Sequence, residues 1–324
     1  MKILINCFEH FYNAIKKEIS DEVDYSFSQT ESRFDYIQDY FEMKKKIKNN
    51  ELDKYDVIHI QNWVNLLLIK YKKPHQKWVF TSHGYHLGIN RKKALEDSSF
   101  IMRSVGNIVS LLFFQKFRNC MMNFDKLFVA IPNLLEDVNK FRPDVVWLPN
   151  PIDTEVFYPR NKVEMQGEPA IFFPTRIHSM KSPEKGFEIF EEIKKKYPKA
   201  KLHLIKYPDK CCQYEWYEKH LHNVIWHDFV NREDLPELYS SFDLILGSFG
   251  KGLLSLVELE AMMCGGCVVT YDKYEIKKEF NELTTLSKLL IENKTVKSQY
   301  IKDCRNIVIK NHTNIGEKYK EYLL

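Results

Sequence analysis

Phe242-Asp-Leu-Ile-Leu-Gly-Ser-Phe-Gly-Lys-Gly-Leu-Leu-Ser-Leu-Val-Glu-Leu-Glu-Ala-Met-Met-Cys-Gly-Gly-Cys-Val-Val269 is the stretch on which the fold turns. It reads as a strand ending near Leu246, a loop with glycines at 247, 250 and 252, a helix from about Ser255, and a second strand at Cys267–Thr270. Ser255 and Glu258 have capping-box spacing, which predicts the helix start and fixes where its first amides point. Free amides at a helix start attract a diphosphate, and glycines let backbone approach that anion. A glycine-rich turn from strand to helix is a weak signal by itself.

The same alternation extends in both directions. Apolar, β-rich runs at Lys2–Cys7, Val57–Ile60, Trp78–Thr81, Leu127–Ala130 and Val145–Leu148 are separated by helical patterns. A second series follows at Ala170–Pro174, Lys201–Ile205, Asn223–Trp226, Leu244–Leu246 and Cys267–Thr270. Strands alternating with helices predict parallel sheets, so two series predict an α/β chain of two Rossmann-like domains whose parallel sheets face a central cleft. The polar stretch Pro159-Arg-Asn-Lys-Val-Glu-Met-Gln-Gly-Glu168 reads as the linker, giving domains of 1–159 and 160–304. Ligands of open α/β sheets gather beyond the carboxyl ends of strands, and the candidate motifs fall there.

Composition narrows the function. The 324 residues are 44% apolar and 28% charged, enough for two cores and contrary to global disorder. The net charge of +4 comes from dispersed Lys and Arg; the triplets Lys44–Lys46 and Lys194–Lys196 read as solvated helix faces, and no nucleic-acid partner is expected. The opening Met-Lys-Ile-Leu-Ile has no signal-peptide pattern, so the seven cysteines, including Cys211-Cys212, are read as reduced thiols in a cytoplasmic protein. Cys264 and Cys267 form one CxxC with no second pair of ligands; small residues at a helix end explain them better than zinc, and no metal site is predicted. The apolar run Ile101–Phe114 is broken by Arg103 and Asn107 and is too short to span a bilayer. It reads as a buried helix of the first domain, with peripheral membrane contact as the alternative.

The chemistry-bearing residues follow strands. In Phe172-Phe-Pro-Thr-Arg-Ile-His-Ser-Met-Lys181, Arg176 and Lys181 come just after a strand; an Arg fork with a Lys point charge suits a diphosphate, although either alone is ordinary surface charge. His83 follows a first-domain strand in Phe80-Thr-Ser-His-Gly-Tyr-His86, where a hydrogen-bonded structural histidine is the competing reading. His59 and His86 are read as structural.

These motifs resemble the large retaining glycosyltransferase family with the GT-B fold (group 1, or family 4, type). Leu259-Glu-Ala-Met-Met-Cys-Gly-Gly-Cys-Val-Val269 is close to the family's LEAMACGxPVV. Asn150-Pro-Ile-Asp-Thr-Glu-Val-Phe-Tyr-Pro159 is similar to its PNGVDxxxFxP hinge, and Tyr55-Asp-Val-Ile-His59 to its DVIH strand, all in family order. The final segment, about 305–324, resembles the family's C-terminal helix that packs back on the first domain. The resemblance implies a retaining hexosyl transfer from a nucleoside diphosphate sugar to a hydroxyl of a glycan, lipid or small molecule, with no cofactor. Glu260 would accept hydrogen bonds from ribose hydroxyls. Arg176 and Lys181 would hold the diphosphate, with Lys185, followed by Gly186, as the alternative lysine. His83 would face the sugar or the acceptor. Gly250, Gly252, Leu254, Ser255 and Leu256 line the donor loop and helix start, and Phe229 and Val230 lie where the base sits. Two departures stand out. Gly252 occupies the position of the family's first glutamate, which contacts the donor sugar, and Asn6–Tyr12 lacks the first glycine-rich loop. The alternative is therefore a catalytically impaired nucleotide-sugar binder or regulatory protein of the same fold.

Overall fold

The computed structural model describes residues 1–7, 9–19, 23–27, 33–84, 89, 114–177, 181–207, 214–249, 254–270 and 280–323. The chain forms two compact units, Met1–Pro151 with Asn314–Leu324, and Ile152–Thr313. The segment read as a linker, Pro159–Glu168, thus lies within the second unit.

The first unit carries β1 (Ile3–Cys7), β2 (Val23–Phe27), β3 (Val57–Ile60), β4 (Lys77–Ser82), β5 (Lys126–Val129) and β6 (Val146–Trp147) in one sheet of order β2-β1-β3-β4-β5-β6. Every pairing is parallel. Alternate residues feed two cores: Ile58, Trp78, Phe80 and Leu127 pack on one face, Val57, Val79 and Phe128 on the other. Helices cover both faces, so these strands are continuously apolar, and each fully buried side chain contributes about 1.5–3 kcal/mol. β2 is the strand the sequence pattern does not announce. It is an edge strand in which Asp24 is exposed and Val23 buried, too short and too polar to stand out.

The second unit carries β7 (Ala170–Phe173), β8 (Lys201–Ile205), β9 (Val224–His227), β10 (Leu244–Leu246) and β11 (Val268–Val269) in the order β11-β10-β7-β8-β9, again all parallel. Ile171, Phe173, Leu202 and Leu204 face one core; Phe172 and Ile245 face the other, where Phe172 stacks on Phe242 at 4.5 Å. Chain order reverses between β7 and β10, which makes their carboxyl ends the crossover point at which such sheets bind ligands.

Two helices close the chain. Lys294–His312 belongs to the second unit, and Asn314, with φ 56°, breaks it from helix Ile315–Leu323, which returns to the first. There the Glu18 carboxylate accepts the Gly316 amide at 2.6 Å, and the Tyr319 hydroxyl bonds the buried His59 Nδ1 at 2.8 Å. His59 also bonds Thr81 through Nε2, and burial pushes its pKa down to about 3, which fits the structural role expected of it. Among the described residues no helix is long and apolar enough to cross a membrane. The run at 101–113, Cys211, Cys212 and His86 lie outside the described residues.

Candidate functional site

The carboxyl ends of β7, β8, β9 and β10 bring together residues far apart in sequence. Beyond β10, Gly247–Phe249 lead toward the helix Leu256–Met263. Ser255 stands at the N-cap in an extended conformation (φ −85°, ψ 164°), and the Glu258 carboxylate closes back onto the Ser255 amide. That carboxylate is buried and also accepts the Ser248 amide, while Thr270 approaches it with Oγ1 at 3.0 Å. Glu258 therefore pins both ends of the loop that carries Gly250 and Gly252. Those two glycines lie outside the described residues. Leu254, Ser255 and Leu256 are half-buried at the helix start.

The far end of this helix shows why Cys264-Gly-Gly follows it. The Gly266 amide bonds the Ala261 carbonyl at 2.9 Å and the Gly265 amide the Met262 carbonyl at 3.1 Å, the paired closure of a Schellman motif. Gly265 takes φ 76°, and a Cβ on Gly266 would lie 2.6 Å from Ile245 Cδ1. Cys264 and Cys267 are buried free thiols, pushed up to about 12 by burial.

Arg176 and Lys181 lie beyond β7. Arg176 is exposed, with its guanidinium 5.3 Å from the Tyr207 ring. Tyr207, past the end of β8, donates its hydroxyl to the Pro174 carbonyl at 2.6 Å and packs edge-on against Phe229 at 6.0 Å. It is a platform joining the loops after β7, β8 and β9 that sequence reading did not single out. The Lys181 carbonyl accepts the Phe249 amide at 3.0 Å, which ties the lysine loop to the glycine loop. Ser182, left-handed at φ 45°, then turns the chain into helix Pro183–Lys196, where Lys185 is half-buried in the first turn. Phe229 is 53% exposed, open enough to meet a planar ligand, and Val230 packs partly into the core.

Glu260 is 3% exposed, which rules out a solvated helix charge. Its Oε1 accepts Arg232 Nε at 3.1 Å and Nη2 at 2.6 Å. Burial raises its pKa to about 6, with the arginine opposing that shift. Arg232 was not anticipated: in Asn231-Arg-Glu-Asp234 it reads as one charge of a mixed, solvated turn. The available signal is that Glu260 has only Leu256, Val257, Met263 and Cys264 at its helical neighbour positions, so its counter-charge has to come from elsewhere.

In the first unit, His83 follows β4. Its Nδ1 lies 3.0 Å from Asn150 Oδ1, an atom that only accepts, so Nδ1 carries the proton and Nε2 the lone pair. Burial pushes the ring's pKa down to about 4 against the contrary effect of Asn150, and the imidazole is neutral at pH 7. Among the described residues no group of three or more His, Cys, Asp or Glu side chains is placed to hold a metal ion.

Comparison with known proteins places this geometry. Residues 157–314 match the family of glycosyl transferases group 1. No curated protein sequence matches. Among solved structures, the sucrose-phosphate synthase of Thermosynechococcus elongatus is similar over 100% of this chain and 98% of its own, with a TM-score of 0.73 and 14% identity. WaaG, a glycosyltransferase involved in lipopolysaccharide biosynthesis, is similar over 98% of both chains, with a TM-score of 0.68 and 13% identity. An α-glucosyltransferase in complex with UDP and DNA is similar over 100% of this chain and 98% of its own, with a TM-score of 0.62 and 15% identity. The family match supports glycosyl transfer, and the structural likenesses show the fold. Residues 157–314 are thus similar to the glycosyl transferases of group 1, and the chain that carries them has the GT-B fold.

Proposed function

We propose that this protein moves a hexose, with retention at the anomeric carbon, from a nucleoside diphosphate sugar to a hydroxyl acceptor. The observation that carries the reading is Glu260, a carboxylate kept almost dry beside the turn after β9. A buried carboxylate is costly unless its lone pairs are used, and two neighbouring ribose hydroxyls suit it. Arg176, by Tyr207, and Lys181, tied to Phe249, stand at the carboxyl ends of the same sheet and suit the diphosphate. Phe229, Val230, Leu254, Ser255 and Leu256 complete the donor side, with Gly250 and Gly252 in its loop.

In the proposed reaction the bond from the sugar's anomeric carbon to the diphosphate breaks, and a bond to the acceptor oxygen forms on the same face. The acceptor proton passes to the departing diphosphate, so no protein nucleophile is required. Arg176 and Lys181 stabilise the charge that develops on the leaving group and take the part a divalent metal plays elsewhere. His83, neutral with its lone pair at Nε2, is assigned to a hydroxyl of the sugar or acceptor. No cofactor beyond the donor enters the scheme. The acceptor class is a glycan, lipid or small molecule, and a lipid acceptor would bring peripheral membrane contact.

The UDP-bound neighbour makes uridine donors the first to test. Incubation with UDP-glucose and a panel of hydroxyl acceptors should release free UDP only when an acceptor is present, and Glu260→Ala should abolish that release. NMR of the product should show the donor's anomeric configuration. One observation favours a second reading, a non-catalytic nucleotide-sugar binder: Gly252 stands where the family places its first glutamate. Tight UDP binding without release across UDP-, GDP- and ADP-sugars would establish that alternative.

A further inference from the structure

Arg232 meets Glu260 in an unequal way. Both of its contacting nitrogens converge on Oε1, and Oε2 has no hydrogen bond among the described residues. The guanidinium is itself held, lying 4.6 Å from the Phe157 ring. Other titratable groups surround the carboxylate: Tyr207 past the end of β8, Tyr239 from helix Leu235–Ser241 and Cys264 at the end of its own helix. Burial raises all three, so they are neutral near pH 7. Arg176 faces Tyr207, and Arg160 and Arg305 face Cys264. Among the described residues Arg232 is therefore the one cation hydrogen-bonded to Glu260.

We propose that Arg232 is a positioning residue for the donor: it keeps Glu260 ionised and commits Oε1, so that Oε2 is the oxygen offered to a ligand hydroxyl. The inference rests on the donor-site reading above. Its physical basis is the balance at Glu260, where burial favours the protonated acid and the guanidinium favours the carboxylate. Without the guanidinium, burial acts unopposed and the balance moves toward the protonated acid. A protonated carboxyl still hydrogen-bonds, but it loses the charge-assisted acceptor on which ribose recognition depends.

The test joins a ligand-free readout to a binding readout. The ¹³C carboxyl resonance of Glu260, identified by its absence in Glu260→Gln, is titrated in wild type, Arg232→Lys and Arg232→Met, and UDP affinity is measured by calorimetry from pH 5.5 to 8.5. The expected wild-type midpoint is near 6. Arg232→Met should raise it by about one unit or more, and Arg232→Lys should restore most of the difference. UDP affinity of Arg232→Met should fall at pH 7, by about twofold for a shift of one unit and about tenfold for two, and recover toward pH 8.5. An unchanged midpoint in Arg232→Met overturns the inference whether or not UDP binds. So does a loss of affinity that is equal at every pH, the behaviour of a direct phosphate ligand or a structural residue. A shifted midpoint together with no binding of UDP, GDP or ADP by wild type keeps Arg232 as the group that sets the charge of Glu260 and overturns the donor assignment instead.

Discussion

Replacing Glu258 by Gln is the sharpest test of how the candidate site is built. The carboxylate is 1% exposed and accepts the Ser248 and Ser255 amides on separate oxygens. The Thr270 hydroxyl has one proton to divide between Glu258 Oε1 and the Ser248 carbonyl, each 3.0 Å away, so it counts as half a bond. Hydrogen bonds to a buried charge contribute about 1.5–3 kcal/mol each. Glutamine can keep its oxygen toward Ser248 and Thr270 but must turn an NH₂ toward the Ser255 amide, setting donor against donor. One charged bond is lost and another becomes neutral, for an expected destabilisation of about 3 kcal/mol. With a urea slope of about 2 kcal/mol per M, the midpoint should fall by about 1.5 M at constant slope. Since Ser248 and Ser255 flank the proposed donor loop, UDP affinity should fall as well. A urea midpoint within about 0.3 M of wild type would refute the claim that Glu258 fastens this loop.

Other consequences can be measured independently. Tyr319→Phe removes a buried bond to His59 and should cost about 1–3 kcal/mol, seen as faster amide exchange across helix Ile315–Leu323; unchanged protection would contradict the docking described here. His203 donates Nε2–H to the Gln166 carbonyl at 2.8 Å and so accepts from His227 at Nδ1, also at 2.8 Å, which requires the His203 ring to be neutral. Burial lowers both pKa values, so the folded state binds fewer protons than the unfolded chain, and stability should fall as pH drops through about 6.5 toward 5. His227→Gln should lessen that dependence, with the remainder carried by the buried His59 and His83, and a urea midpoint independent of pH in wild type would oppose it. Arg176→Ala and Lys181→Ala should each weaken UDP binding, while EDTA should leave transfer intact; inhibition by EDTA that added Mg²⁺ reverses would refute a field supplied by these two cations.

Much of the fold was legible because strands buried on both faces announce themselves. Ile58, Trp78, Phe80, Phe172 and Leu204 belong to runs with no polar side to confuse the period. β2 was missed because an edge strand needs only one covered face, and Val-Asp-Tyr-Ser-Phe offers too few apolar residues to declare it. At the site, the positions after β7 and β10 could be found because topology confines ligands to strand ends. Arg232 and Tyr207 could not, because each acts through a partner set by tertiary packing: Glu260 lies 28 residues from Arg232, and Pro174 lies 33 residues from Tyr207. No local pattern encodes such a distance.

The two glutamates of Leu256–Met263 show how one helix can serve architecture and chemistry together. Residues two apart on an α-helix point about 200° apart. Glu258 therefore turns back to the crossover and is consumed by Ser248, Ser255 and Thr270, while Glu260 turns to the loops after β8 and β9 and meets Arg232. The first has both of its oxygens engaged within its own loop. The second has no hydrogen bond to Oε2 among the described residues, at the desolvation cost that burial imposes. A fold selected only for stability would place an apolar side chain at 260, as it does at 259, 261, 262 and 263. On the proposed donor-site reading, the retained carboxylate and its arginine mark the position where this helix gives up stability for recognition.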